Sequence, residues 1–348
     1  MNSTSSVFTE ERDDVAKMAQ ACDQAAHARL IAPPNPWVGA VLVTPQGTTF
    51  VGYTQRPGHA HAEPMALRRA GEAARGSTLY VTLEPCSHHG RTPPCADEII
   101  TAGVARVVVG IADPDPRVSG SGIDRLREAG IRVDVGVGSQ MVREQLAPYI
   151  RQRTTGRPYV VVKAAASIDG RTAAPDGTSQ WITGAQARAD VHRLRAESDA
   201  ILVGAGTAAV DNPRLTVRGV VASDGEEPRT PLRVVLGRAP DGAAMKPCLE
   251  VTGPLDEILD DLGSRDVVQL LVEGGANTAA QFHKAGLVDR YVMYLAPMFM
   301  GGGDGSPIFS GLGATTLSEA FRGTLDNVHQ LGDDVRLDIL PTDTTDEG

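Results

Sequence analysis

The sequence has no run of about eighteen apolar residues, no excess of positive charge, and few cysteines or aromatics. Without such a run, no segment is a candidate membrane-spanning helix. Lysine and arginine number 33 against 43 aspartates and glutamates, which gives a formal net charge of -10. That balance excludes a broad phosphate-neutralising surface, and with it a nucleic-acid binder of the usual basic kind, although a small basic pocket stays open. The opening "MNSTSSVFTEERDD" lacks both the basic start and the apolar run of a secretory signal. A cytoplasmic protein with reduced thiols is therefore expected. The four cysteines, Cys22, Cys86, Cys95 and Cys248, are not read as a disulfide framework. No internal repeat is apparent.

What is present is enough for two cores. With 348 residues and 41% hydrophobic content, two domains are the natural expectation. A first helix is expected after Thr9 as its cap, burying Val15, Met18, Ala19, Cys22 and Ala26 on one face. "WVGAVLV" and "TTFVGYT" read as a hairpin. Helix and strand then alternate through "AEPMALRRAGEAA", "STLYVTL", "CADEIITAG", "ARVVVGIA", "IDRLREAG" and "IRVDVGV". The texture changes at "SQMVREQLAPYIRQRTTGRP", a polar helix ending in a turn, so domains are expected over residues 1–150 and 156–348. The second half resumes the alternation with "PYVVVKAAAS", "AQARADVHRLRAES", "DAILVGAG", "PLRVVLG", "VVQLLVEGG", "NTAAQFHKAG" and "DRYVMYLAP". "VVASDGEEPRTP" reads as a mobile polar loop. The pattern implies α/β architecture in both halves.

His61-Ala62-Glu63, followed by Pro85-Cys86 and then Cys95, has the makings of a metal site. Three soft or borderline ligands with one open position make a catalytic zinc centre, whereas four closed ligands make a structural one. His61, Cys86 and Cys95 supply three, and no fourth cysteine lies nearby. Glu63 stands two residues after His61, close enough to exchange protons with a zinc-activated water without ligating the metal. Zinc deaminases carry H-x-E followed by P-C-x-x-C. Here the second cysteine comes nine residues after the first, a departure from that spacing. His59 is the alternative ligand, but only His61 has a glutamate at the required offset.

The longer loop "CSHHGRTPPC", together with "PPNPWVGAVLV", resembles the N-terminal domain of the bifunctional riboflavin-biosynthesis deaminase/reductase, which has a cytidine-deaminase-like α/β/α fold. The second half resembles the reductase domain of the same family, with a dihydrofolate-reductase-like fold. The stretches that carry this are "VVKAAASIDGRTA", "SQWIT", "HRLRAES", "ILVGAGTAAVDNPRLTVR" and "LLVEGG". The resemblance spans roughly residues 10–340. It implies Zn2+-dependent deamination of a phosphoribosylated diaminopyrimidinone, then NADPH-dependent reduction of the product's ribose to a ribityl chain. It also implies small phosphorylated pyrimidine substrates, and a homo-oligomer is expected.

For the first domain the resemblance suggests that Asn35 contacts substrate, and His88 in the loop is a further candidate contact. Ordinary turn chemistry at Asn35-Pro36 is the alternative for Asn35, and loop-shaping for His88 and His89. In the second domain "EGGANTAA" opens a helix, and backbone N–H groups at such a start can cradle a phosphate. The resemblance brings Gly275, Ala276, Asn277, Thr278, Ala279, Ala280 and Gln281 to NADPH, along with Ala165, Trp181, Thr207 and Asp211. Trp181 as a core aromatic is the alternative. Ser179, Arg195, Leu215, Arg218 and Glu273 are the implied substrate contacts. Lys163, Asp211 and Glu273 are the ionisable candidates for the reduction step. "ILVGAGTAA" has Ala209 where a dinucleotide fingerprint needs its third glycine, so that motif is rejected. Two other functions compete with this reading: a nucleic-acid-editing deaminase with an accessory domain, and a zinc-binding module without turnover.

Overall fold

A computed structural model describes the backbone of residues 3–342 except 89–92 and 116–117, and the side chains from residue 12 onward. The chain divides into two compact units. One comprises residues 1–155 with 221–227, and the other residues 156–220 with 228–348. The acidic part of the polar loop thus groups with the first unit.

The first unit is built on a five-stranded sheet of order β2-β1-β3-β4-β5. Its strands are β1 (Gly39–Val43), β2 (Thr49–Tyr53), β3 (Thr78–Leu83), β4 (Arg106–Ile111) and β5 (Arg132–Val135). The hairpin β1–β2 is antiparallel, as is β1–β3, whereas β3, β4 and β5 run parallel. The helices are α1 (Ser3–Ala28), α2 (Ala62–Ala70), α3 (Cys95–Ala102), α4 (Ser121–Glu128), α5 (Ser139–Gln145) and α6 (Ala147–Thr155). Two glycines show how the layers close. A Cβ on Gly39 would lie 1.9 Å from the Ala21 carbonyl oxygen of α1, and one on Gly52 would lie 2.1 Å from that of Ala62 in α2. Gly52 pairs with Ala40, next along the strand from Gly39. Successive residues of a strand face opposite sides, so α1 and α2 cover opposite faces of the sheet. This is the α/β/α layering expected.

The structure corrects the expected start and face of α1. The helix begins at Ser3, so Thr9 lies inside it instead of capping it. Its buried residues are Asp14, Met18, Ala21, Ala25 and Ala28, while Val15 is 42% exposed and Cys22 only half-buried. A charged residue turns the helix. Asp14 is drawn inward by Arg106, which donates two bonds of 2.9 and 2.7 Å, and by the Tyr80 hydroxyl at 2.7 Å. A buried carboxylate needs such partners.

The second unit holds an eight-stranded sheet of order β10-β9-β8-β11-β6-β12-β15-β14. Its elements begin with β6 (Tyr159–Ser167), β7 (Arg171–Ala173), α7 (Ala185–Ala196), β8 (Ala200–Gly204), α8 (Ala205–Val210), β9 (Leu232–Leu236) and β10 (Leu249–Val251). They continue with α9 (Leu255–Ser264), β11 (Gln269–Val272), α10 (Ala276–Lys284), β12 (Arg290–Ala296), β13 (Ser306–Pro307), β14 (Gly323–Leu331) and β15 (Asp334–Pro341). Strands β10 through β12 of that order are parallel, and β15 and β14 add an antiparallel edge. The central strands read as continuous apolar runs because both faces are covered, by one core around Val162, Leu270 and Phe282 and another around Ile201, Leu271 and Tyr294.

Candidate active sites

The metal ligands predicted from the sequence meet in the first unit. His61 is the N-cap of α2, Cys86 follows the end of β3, and Cys95 is the first residue of α3. The nitrogen His61 Nδ1 lies 3.2 Å from the Cys95 sulfur and 3.7 Å from that of Cys86. A tetrahedral zinc with its nitrogen ligand at about 2.0–2.1 Å and its sulfurs at about 2.3 Å requires N···S edges of about 3.6 Å. The donor set fits the ion, and no fourth ligand joins the cluster among the described residues. The sulfur of Cys86 accepts hydrogen bonds, led by that from the Cys95 thiol, which hold its pKa well below the ordinary thiol value. Thiolate character of this kind suits a metal ligand.

Glu63, in the first turn of α2, is 3% exposed. Burial pushes its carboxyl up to about 7, against the opposing pull of His61. It lines a cavity of about 560 Å³ with His61 and Cys86, where Asn35, His59 and His88 also stand. His89 lies outside the described residues. Sequence reasoning missed further wall residues, among them Glu84, Asp113, Asp115, Tyr149 and Arg153. Glu84 accepts bonds from the backbone N–H groups of Asp113, Gly120, Gly122 and Ile123 at 2.8–3.3 Å. It thereby ties the end of β3 to the tip of β4 and the start of α4. The signal for Glu84 was its place between the β3 pattern and Cys86. The others lie far away in sequence.

In the second unit a cavity of about 580 Å³ opens at the C-terminal ends of the parallel strands β6, β8 and β11, the usual ligand position in open α/β sheets. Its wall contains Lys163, Ala165, Ser179, Trp181, Arg195, Thr207, Asp211, Leu215, Arg218 and Glu273, all named from the sequence. Gly275, Ala276 and Ala279 also line it, whereas Asn277, Thr278, Ala280 and Gln281 do not. Thr278 and Ala280 are buried, and Thr278 fills the space that the missing side chains of Gly204 and Gly274 leave. Only the start and inner edge of α10 therefore face the cavity. One of its N–H groups is already taken: that of Gly275 donates to the Thr207 hydroxyl at 3.0 Å.

Trp181 is 67% exposed, with the Arg188 guanidinium 4.7 Å from its ring centre, so it is not a core aromatic. Arg195 makes a two-pronged pair with Glu273, at 2.5 and 2.9 Å, and donates to the Thr216 carbonyl at 3.1 Å. Lys163 Nζ stands 3.7 Å from the same carboxylate. Burial opposes ionisation of Glu273, but Lys163 and Arg195 outweigh it and hold the carboxyl below its ordinary value. Arg218, in contrast, is exposed, and among the described residues it bonds only the Thr216 hydroxyl, at 3.0 Å. His192 was missed. It meets the Thr216 carbonyl through Nδ1 at 3.0 Å, and burial, aided by Arg195, lowers its pKa.

Residues 11–111 match the model of the cytidine and deoxycytidylate deaminase zinc-binding region, and residues 158–337 match the RibD C-terminal domain. Riboflavin biosynthesis protein RibD of Aquifex aeolicus is 40% identical over 332 residues, covering 87% of this chain and 91% of that protein. The chain belongs to the RibD family. RibD of Escherichia coli is 38% identical, with 93% of this chain and 98% of that protein covered. Among solved structures, RibD of Acinetobacter baumannii superposes with a TM-score of 0.88 at 35% identity, covering 96% of this chain and all of that one. A Thermotoga maritima protein described as a diaminohydroxyphosphoribosylaminopyrimidine deaminase/5-amino-6-(5-phosphoribosylamino)uracil reductase gives 0.83 at 32% identity, covering 96% of this chain and all of that one. As a RibD family member, the chain is a bifunctional enzyme of riboflavin biosynthesis, a zinc-binding deaminase joined to a reductase. Full-length relatives match both halves, which leaves no ground for a nucleic-acid-editing deaminase with an accessory domain. No described helix is long and apolar enough to cross a membrane.

Proposed function

We propose that the first unit hydrolyses the 2-amino group of 2,5-diamino-6-(5-phosphoribosylamino)pyrimidin-4(3H)-one. The second unit then reduces the ribose of 5-amino-6-(5-phosphoribosylamino)uracil with NADPH. The observation that carries the first half is the His61–Cys86–Cys95 cluster beside a buried carboxyl poised near neutrality. Zinc held by these three side chains supplies the Lewis acidity that makes water a nucleophile near neutral pH. Glu63 takes the proton from the attacking water and returns it to the leaving amine, with Asn35 and His88 on the ring. A carboxyl near pH 7 can do both.

For the second half, NADPH supplies the reducing equivalents. Ala165, Trp181, Thr207, Asp211 and the start of α10 hold the cofactor, with Ala276 and Ala279 as the helix residues on the cavity wall. Ser179, Leu215 and Arg218 hold the substrate, Arg218 at its phosphate. Lys163, 3.7 Å from the Glu273 carboxylate, delivers the proton that the sugar oxygen needs on ring opening. Asp211 is the second ionisable group at this wall.

The test of the whole reading is to supply the diaminopyrimidinone phosphate with and without NADPH and identify the products by mass. The deaminated uracil should accumulate without NADPH, and the ribityl compound with it. No ammonia from this substrate would sink the deaminase assignment.

Metal analysis of well-folded protein should find one zinc per chain, bound by three side chains. A structure with a fourth protein ligand would make the centre structural and overturn the catalytic reading.

Arg218→Ala should raise the reductase KM for the uracil substrate about tenfold to a hundredfold, the cost of losing one charge-assisted contact. Deamination and NADPH affinity should change little. Arg195, the other arginine expected at the substrate, has three of its five N–H groups taken by Glu273 and Thr216, so Arg218 is the freer partner for the phosphate. A lost NADPH affinity with unchanged substrate KM would show that Arg218 serves the cofactor phosphate instead.

A further inference from the structure

The deaminase cavity contains a basic side chain that the mechanism above does not use. Arg153 lies in the last turn of α6 and lines the cavity. Its guanidinium carbon stands 5.2 Å from the ring centre of Tyr149, one turn earlier and 4% exposed. The Tyr149 hydroxyl in turn meets Asp113 at 3.4 Å.

The described wall otherwise offers mainly negative charge, from Glu63, Glu84, Asp113 and Asp115. The oxygens of Glu84 are taken by backbone N–H groups, and among the described residues no carboxylate pairs with Arg153. An arginine near a helix C-terminus can simply complement the helix dipole. That role needs only an exposed side chain, not one laid on a buried ring at a cavity wall. A substrate bearing a doubly charged phosphate cannot settle among carboxylates without a cation, and a planar guanidinium can bond two phosphate oxygens at once.

We propose that Arg153 binds the phosphate of the deaminase substrate and so selects the phosphorylated pyrimidine over its dephosphorylated counterpart. The proposal rests on the deaminase reading above. Tyr149 fixes the guanidinium plane, and helix α6 fixes its distance from the sheet.

The test uses the full-length zinc-loaded enzyme, with ammonia release followed on the phosphorylated diaminopyrimidinone and on the same compound without its phosphate. Arg153→Ala should raise KM for the phosphorylated substrate about tenfold or more, while kcat and all values for the dephosphorylated compound stay near wild type. Arg153→Lys, which keeps a charge without the fork, should recover part of the loss. Ribose 5-phosphate should compete with substrate in the wild type and far less in the alanine variant, and full zinc content with unchanged turnover of the dephosphorylated compound in each variant checks the fold of the first unit. Equal losses on both substrates would assign Arg153 to shaping the wall, and no loss at all would remove it from the site; either result overturns the proposal. A wild-type enzyme that released ammonia from neither compound would overturn the deaminase reading itself.

Discussion

Glu63→Gln is expected to slow ammonia release by about 10²–10⁴-fold, the usual contribution of a positioned acid–base group. The substitution keeps the volume and the hydrogen-bonding shape of a side chain that is 3% exposed, so the packing of α2 should survive. It removes the ability to carry a proton. In the native protein burial raises the carboxyl above its ordinary value, which favours taking up a proton as base before returning it as acid. Zinc content should be unchanged, because His61, Cys86 and Cys95 remain. Reduction of separately supplied deaminated substrate should also be unchanged, since Lys163 and Glu273 belong to the other unit. Metal analysis and the two assays on one preparation make the comparison. Near-normal ammonia release would refute the assignment of Glu63.

The zinc site was legible because its ligands are chemically rare side chains, placed close in sequence on either side of one strand. The rest of that cavity was not. Asp113 follows β4 and Arg153 sits on α6, so only the folding of the sheet brings them beside His61. The alternation of helices and strands was legible wherever burial follows apolarity. It failed on α1, where Arg106 and Tyr80 pull the charged Asp14 inside and turn the helix away from the face its apolar residues suggest. The C-terminal hairpin left no pattern to read. All but the last residue of β14 are exposed, and the buried positions of β15 are both aspartates, Asp334 and Asp338, the latter fully enclosed beside Arg290 and Arg336. In both places ion pairs override the apolar period. The reductase wall was named from resemblance, and the part that did not reach the cavity, Asn277, Thr278, Ala280 and Gln281, lies on the other sides of α10. A continuous motif on a helix cannot place every residue on one surface, because successive side chains point in different directions.

The same logic predicts the largest effect in the second unit. Glu273 is 6% exposed in its side chain and balances two cations, Arg195 at 16% and Lys163 at 17%. Glu273→Gln removes the charge and leaves both cations facing each other in a poorly hydrated wall. Breaking a buried ion pair from one side typically costs about 3–5 kcal/mol, and the cost should fall on unfolding of the second unit. Reduction should be largely lost, while ammonia release continues. The effect should depend on pH with a definite sign. The folded-state pKa of Glu273 is held below its ordinary 4.5, so its contribution is present above that value and fades as pH falls through the folded-state pKa. The stability gap between wild type and variant should therefore narrow in acid, and denaturant titrations near neutrality and below about pH 4 would measure it. Replacing the whole cluster, as Lys163→Met with Arg195→Met and Glu273→Leu, removes the uncompensated charges. It should restore much of the stability and none of the reduction. If Glu273→Gln unfolds like wild type at neutral pH and still reduces its substrate, the carboxylate is neither the counter-charge of the cluster nor a participant in the reaction.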